Sequence, residues 1–349
     1  MEEHYRNLLV AYLRETGALK SESVEKAMAA VSRYHFVREM VGCIAEAYKD
    51  TVVPLRMGLS TVSQPTLVAE MLQALDVRPG ANVLEIGTAS GYNAALLAEL
   101  TGDSGKVTTV EIDAGLAEAA RTRLESAGFG TRVGVVTADG RFGYGPGSPY
   151  NRIVITAGVA TLRPELVRQL VPDSGRIVAP IETAGGFSLL FVGERPPRRG
   201  GAEAALSGRF QGLPLAFVPL RGSSWDEAAD EPWWDRLGAA ERDYADLQPR
   251  FERLLNQARR EDEAAREREA AAPEWAAAAR EREVAARLIL ALVVEAGDGD
   301  PLEAFRAIWF DRGRPGLSAL RFAFLAPTAA GQARFAVKRG EYLLGFLAE

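Results

Sequence analysis

The run Val83-Leu-Glu-Ile-Gly-Thr-Ala-Ser-Gly-Tyr-Asn93 constrains this chain more than any other. Asn82–Ile86 is apolar enough for a buried strand, a turn bounded by Gly87 and Gly91 comes next, and a helix-forming run, Ala94–Leu100, follows at once. Strand, glycine turn and helix in that order bring a ligand up to bare backbone at a helix N-terminus. The turn is not a phosphate loop. It lacks the Gly-Lys-Ser/Thr ending, and Glu85 stands where a phosphate would be repelled. A carboxylate there suits a cationic ligand.

The alternation continues. Strands are predicted over Asn82–Ile86, Lys106–Glu111, Arg132–Thr137, Arg152–Thr156 and Arg176–Ile181, with helices over Ala94–Leu100, Gly115–Ser126 and Pro164–Leu170. Such a pattern predicts a parallel sheet covered on both faces. Three acidic residues then fall on one sheet edge: Glu85 closes the first strand, Glu111 the second and Asp139 the third. That edge is where ligands bind in such folds. An acidic group after the second strand can accept both ribose hydroxyls, and one after the third, beside Gly140, can take an adenine amino group. Together the three read as an adenosine-type cofactor whose amino group and sulfonium are positive, S-adenosylmethionine. NAD competes for Glu111, but Gly87, Ala89 and Gly91 behind an acidic residue are not the usual dinucleotide fingerprint.

The predicted fold is therefore an α/β doubly wound, Rossmann-like sheet of the class I methyltransferase type. Two further strands, Phe187–Val192 and Gly208–Pro219, would close it as a terminal hairpin around an exposed loop, Glu194–Gly201. Helices precede it. Leu8, Leu9, Tyr12 and Leu13 are helically spaced before a stop at Gly17, and Val24, Ala27, Met28 and Val31 follow a serine cap. Pro65 suits the first turn of another helix, with Leu67, Val68, Met71, Leu72 and Leu75 as its buried stripe.

After Leu220 the composition shifts. Trp225, Trp233 and Trp234 lie in a polar stretch, and the alternating charges of 259–269 read as a solvated helix face. Apolar spacing resumes at Leu288, Ile289, Leu292 and Val293 and again through Phe305, Trp309, Leu317–Leu325 and Phe335–Phe346. The expected division is a catalytic domain over 1–221 and a smaller, mainly helical α+β extension over 222–349. At ~100–200 residues per domain, two domains suit the length.

Charge and residue usage exclude several chemistries. A net charge of −6 argues against nucleic acid or an anionic membrane as the main partner. Cys43 is the only cysteine, so neither an internal disulfide nor a cysteine zinc site is expected. His4 and His35 are the only histidines; His4 reads as surface and His35 as structural, so a histidine triad or histidine metal cluster is poorly supported and no metal is expected. The first residues carry no basic-then-apolar signal pattern, and Leu288–Val294 is too short to span a bilayer, so a cytoplasmic location is the default.

Further runs carry a family resemblance. They are Phe36-Val37, Ala47-Tyr-Lys-Asp50, Thr61-Val-Ser-Gln-Pro65, Leu84-Glu-Ile-Gly-Thr-Ala-Ser-Gly-Tyr92, Val110-Glu111, Ala138-Asp-Gly140, Tyr150–Ile153 with Thr156-Ala157, and Phe217-Val-Pro-Leu220. Over about residues 20–221 the chain resembles protein-L-isoaspartate O-methyltransferases. It departs from them in Ala89, where the family has glycine, in the missing proline before Arg33-x-x-Phe-Val, and in the long C-terminal extension.

The resemblance implies a site. Ser63 would orient the acceptor carboxylate. Glu85, Gly87, Thr88, Ser90 and Gly91 would form the methionine-side turn, Glu111 and Ile112 the ribose side, Asp139 and Gly140 the adenine side, with Thr156 nearby. Thr61, Val62, Gln64, Val218 and Leu220 would line the acceptor peptide, a peptide or protein bearing Asp or isoaspartate. S-adenosylhomocysteine would be the product, and the methyl ester would close to an aspartimide. Repair enzymes act on isoaspartate, whereas a C-terminally extended branch accompanies ribosomally made, modified peptides and esterifies an ordinary Asp. The extension here resembles that branch, so peptide maturation is the first expectation. General isoaspartyl repair is the alternative, and an inactive cofactor- or peptide-binding scaffold is the reading from another class.

Overall fold

Five parallel strands position everything that follows: β3 (Asn82–Ile86), β4 (Lys106–Glu111), β5 (Val133–Thr137), β6 (Arg152–Ile155) and β7 (Arg176–Glu182). The computed structural model describes residues 1–55, 60–183, 187–196, 204–215, 217–220, 249–253, 255–258, 260, 274–296, 300–309, 314–325, 333–339 and 342–347. The parallel strands lie in the order β7-β6-β3-β4-β5. Val83 sits opposite Val107 on one side and Arg152 on the other. The chain therefore runs outward from β3 through β4 to β5, then crosses back to place β6 on the far side of β3. That reversal opens a crevice beyond the carboxyl ends of β3 and β6, the place where α/β sheets bind ligands.

Two compact units divide the chain. One holds Met1–Gly158, Glu165–Ala179 and Val218–Trp225; the other holds Val159–Pro164, Pro180–Phe217 and Asp226–Glu349. In the first, α6 (Tyr92–Thr101) buries Ala94, Ala95, Leu96, Leu97 and Ala98, an apolar surface all round that demands a position between other layers. On α7 (Ala114–Ser126) the apolar face is one-sided, with Leu116, Ala117, Ala120 and Leu124 inward, and the Asp113 carboxylate caps it by accepting the Leu116 N–H at 2.9 Å. The helices before the sheet follow their sequence signals. They are α1 (Glu2–Glu15), α2 (Glu22–Ala30), capped by Ser21, and α3 (Arg33–Val37), whose Ser32 hydroxyl accepts the His35 N–H. A short α4 (Ile44–Ala47) and an antiparallel pair, β1 (Val53–Leu55) with β2 (Ser60–Val62), lead into α5 (Pro65–Leu75). Pro65 occupies the first turn of α5, where no N–H is needed.

The second unit has an antiparallel sheet. Its strands are β8 (Ser188–Glu194), β9 (Ala204–Leu215), β10 (Phe322–Leu325), β11 (Ala333–Arg339) and β12 (Tyr342–Leu347), in the order β8-β9-β10-β12-β11. The expected hairpin of β8 and β9 is present, but β9 runs over Ala204–Leu215 instead of Gly208–Pro219. The reason is non-local: β10 pairs Phe322 with Gly208 and Leu325 with Ala204, which draws the strand toward its N-terminal end. Phe191, Phe210, Phe322, Phe324 and Phe346 from four of these strands form an aromatic cluster with ring centroids 5.0–5.6 Å apart. A long helix, Glu274–Ala296, buries the predicted Leu288, Ile289, Leu292 and Val293, and a second, Pro301–Ile308, is capped by Asp300. Trp309 is also buried, stacked on Phe305, with its indole N–H donated to the Pro315 carbonyl. It is a core residue. Trp225, Trp233, Trp234 and all but one residue of 259–269 lie outside the described residues. Among the described residues, no helix is long and apolar enough to cross a membrane.

Candidate active site

A cleft with about 440 Å³ of empty space, open solvent included, lies at the switch point, lined by Thr61, Val62 and Ser63 on one side and Gly87–Ser90 with Thr156 on the other. Val68, Met71, Tyr92 and Asn93 complete it.

The floor is backbone, and the glycines explain why. Gly87 has φ +98, a conformation few side chains tolerate, and a Cβ there would collide with the Thr156 hydroxyl. Thr156 is locked in place, since its hydroxyl is 3.0 Å from the Ile86 carbonyl and 2.8 Å from that of Gly87, donating to this pair, and its N–H is donated to the Ile86 carbonyl. A Cβ on Gly140 would likewise collide with Ile86. The strand ends thus pack so closely that only backbone separates them from the crevice. Such a cradle fits a ligand the size of S-adenosylmethionine pressed against main chain.

The three strand-end acids do not share one environment. Glu111 is buried at the end of β4, with its carboxylate accepting the Ala89 N–H at 3.0 Å and the Asp113 N–H at 3.1 Å. It therefore anchors the glycine turn from the neighbouring strand. Ile112 follows it, half-buried. Asp139 caps the short turn Gly140–Phe142, accepts the Arg141 N–H and is held by the Arg141 guanidinium at 2.8 Å. Glu85 is fully buried and does not line the cleft. One of its oxygens accepts the Asn93 amide at 2.7 Å and the other the Thr109 hydroxyl at 2.6 Å. The Thr109 hydroxyl is also 2.7 Å from that of Thr88, so a chain of hydrogen-bonding groups links Glu85 to the cleft lining. Burial pushes the Glu85 carboxyl up to about 7, against the pull of those two hydrogen bonds. Its influence on the cleft is indirect, through Asn93 and Thr88, which do line it.

The opposite wall ends β2 and starts α5. Ser63 does not cap α5, whose N-cap is Gln64 without a side-chain bond. Asp50 serves that end instead, accepting the Thr66 N–H and hydroxyl, each at 2.8 Å. Gln64 is half-buried outside the cleft lining. The Val218–Leu220 segment reaches the carboxyl end of β6. The Gly158 N–H is donated to the Val218 carbonyl at 2.9 Å, and the Leu220 N–H to the Gly158 carbonyl at 2.8 Å. Gly158 stands two positions beyond Thr156, and Val218–Leu220 are not in the cleft lining.

The structure thus brings Thr61, Val62, Ser63, Gly87, Thr88, Ser90 and Thr156 together in the cleft. Gly91, at φ +90 with Leu124 behind it, ends the turn from outside the lining. Sequence reasoning missed Asn93, Met71 and Val68 as lining, and Asp50 and Arg33 as supports. His35 is structural, with Nε2 2.9 Å from the Arg123 carbonyl. Among the described residues no cluster of His, Cys, Asp and Glu could hold a metal ion.

Comparison with known proteins gives this geometry a family. Residues 4–197 match the family model described as protein-L-isoaspartate(D-aspartate) O-methyltransferase. A protein-L-isoaspartate O-methyltransferase of Ignicoccus hospitalis is 40% identical over 220 residues, which is 63% of this chain and 98% of that one. One from Methanopyrus kandleri is 39% identical over 232 residues, covering 65% and 94%. A solved structure named protein-L-isoaspartate O-methyltransferase superposes with a TM-score of 0.55 at 28% identity, over 62% of this chain and 66% of the other. A Plasmodium falciparum protein titled a beta-aspartate methyltransferase, solved with S-adenosyl-L-homocysteine, gives 0.52 at 19% identity over 61% and 96%, a likeness of fold. With the cleft at the switch point and the match spanning it, this chain belongs to the protein-L-isoaspartate O-methyltransferase family, which are S-adenosylmethionine-dependent carboxyl methyltransferases.

Proposed function

We propose that this protein methylates the carboxylate of isoaspartyl residues in proteins and peptides, in the manner of general repair. One observation carries the reading: a floor of bare backbone at Gly87–Ser90 faces a wall bearing Ser63 across a single cleft. In this reading Gly87, Thr88, Ser90 and Gly91 hold the methionine part of the cofactor. Glu111 with Ile112 holds the ribose, and Asp139 with Gly140 the adenine, with Thr156 closing the floor. Thr61, Val62, Gln64, Val218 and Leu220 line the acceptor peptide.

The chemistry asks little of the residues beyond alignment. An exposed carboxylate has a pKa near ~4 and is already an anion at neutral pH, so no general base is needed. When bound, S-adenosylmethionine supplies an electrophilic methyl group. Ser63 orients the acceptor oxygen through its hydroxyl, and the apolar Val62, Val68 and Met71 exclude water around it. Alignment of this kind is worth roughly 7–11 kcal/mol. The ester is then a better electrophile than the acid. Attack by the next backbone nitrogen expels methanol and closes an aspartimide, whose hydrolysis returns aspartate or isoaspartate.

A second reading has one observation in its favour. The family match ends at residue 197, and the two archaeal relatives account for only 63–65% of the chain. The extension over 222–349 would serve as a substrate domain for a dedicated ribosomal peptide carrying an ordinary Asp. Mass spectrometry of matched Asp and isoAsp peptides incubated with S-adenosylmethionine separates the two. Repair predicts a gain of one methylene, followed by loss of methanol, on the generic isoAsp peptide alone. Silence on both peptides, with S-adenosylhomocysteine still bound, would favour the dedicated substrate.

A further inference from the structure

Arg33 is fully buried, yet it makes no ion pair among the described residues. Its Nε donates to the Ala47 carbonyl at 3.0 Å and its Nη2 to the Ser63 carbonyl at 3.0 Å, while Nη1 is buried with no hydrogen-bond partner. The guanidinium lies over the Tyr92 ring, 5.1 Å from its centroid. A buried cation without a paired carboxylate is costly, and an unmet donor adds about 1–3 kcal/mol. An apolar side chain would fill this place at lower cost, so the charge and its planar fork call for another reason.

The reason lies in what the fork joins. Ser63 belongs to the acceptor wall and Tyr92 begins α6 directly after the glycine turn; both line the cleft. One guanidinium touches the first through its main chain and the second through its ring. Ala47 brings in the segment that ends at Asp50, whose carboxylate caps α5 just past Ser63. Resting on the carboxyl-transfer reading above, we propose that Arg33 is a positioning residue that sets the spacing between the Ser63 wall and the glycine turn. The acceptor carboxylate is thereby held in line with the methyl donor. A lysine keeps the charge but cannot reproduce the two-carbonyl fork or the planar stack.

Arg33→Lys and Arg33→Gln, purified beside the wild type, test this by three readouts. These are S-adenosylhomocysteine affinity by calorimetry, kcat and KM on an isoaspartyl peptide, and hydrogen exchange of the 60–66 segment. The expected result is S-adenosylhomocysteine affinity within a few-fold of wild type, with kcat down about a hundredfold, as a displacement near 1 Å produces. Lysine should recover part of what glutamine loses, and amides of 60–66 should exchange faster in both. Unchanged kcat and unchanged exchange in a folded variant would overturn the proposal. So would cofactor affinity falling in step with kcat, or failure of both variants to fold, since Arg33 would then serve stability alone. A wild type that esterifies no isoaspartyl peptide would sink the functional reading instead. Exchange and cofactor titration would still decide whether Arg33 positions the wall.

Discussion

The carboxyl of Glu85 has no access to water, and its pKa near 7 makes it a titrating group inside the fold. The sign of its effect on stability follows from proton binding. Between the ordinary value of 4.5 and about 7 the folded protein holds a proton that the unfolded chain releases, so stability falls as pH rises through that window. The loss is on the order of 3 kcal/mol. Glu85→Gln should therefore flatten the pH dependence of urea unfolding across this window, because the amide has no proton to lose. An unchanged slope would mean that Glu85 ionises as freely in the fold as outside it. Ala89 carries a different burden. It adopts φ +49, left-handed backbone that costs a residue with a Cβ ~1–2 kcal/mol, less the entropy glycine loses on folding. Ala89→Gly should raise the unfolding free energy by about 0.5–1 kcal/mol, read as a higher urea midpoint at constant m, since the N–H donated to Glu111 is kept. At this scale the sequence exposed position but not partnership. Glu85 was readable as a strand-end acid, yet its role depends on Thr109, 24 residues away, and Asn93, 8 away.

Elements were readable where their signals are local. β3 and β4 lie where the apolar runs place them, Asn82–Ile86 and Lys106–Glu111, because strands buried on both faces need nothing but a continuous apolar stretch between turn signals. The β1–β2 pair escaped notice because three residues on each side carry no period. β9 shifted because its register is set by β10, more than a hundred residues later in the chain. The same pairing changes how the extension can be tested. Deleting 222–349 would strip β10 from β9 and remove Phe322 and Phe324 from against Phe210 and Phe191. Such a truncation would therefore expose an unpaired strand edge and an aromatic surface, inviting aggregation. A point substitution is cleaner. Phe322→Ala, at a side chain only 1% exposed, should cost about 3–5 kcal/mol and lower the thermal midpoint of the transition that reports this unit. A change below 1 kcal/mol would mean that the cluster collapses around the gap.

For the molecule as a whole, cofactor binding should appear as stability. A ligand that binds only the folded state adds about 2.7 kcal/mol when present at a hundredfold excess over its Kd. S-adenosylhomocysteine should therefore raise the midpoint of thermal unfolding in a concentration-dependent way, with no such rise from NAD. A rise with NAD alone would reverse the choice made at the glycine turn.

Periodicity, glycine placement and strand-end acids are local properties, and from them the sequence alone determined the βα alternation, the sheet edge that binds ligand and the family resemblance. Tertiary structure decided how the strand-end acids are held: burial turned Glu85 inward onto Asn93 and Thr109, Glu111 caught the turn, and neither is in the cleft lining. It also decided that Arg33 meets Ser63 and Tyr92. The C-terminal strands, likewise, extend the β8–β9 pair only once folded. Most of these are contacts between residues far apart in the chain, and all depend for their energy on what surrounds the partners after folding.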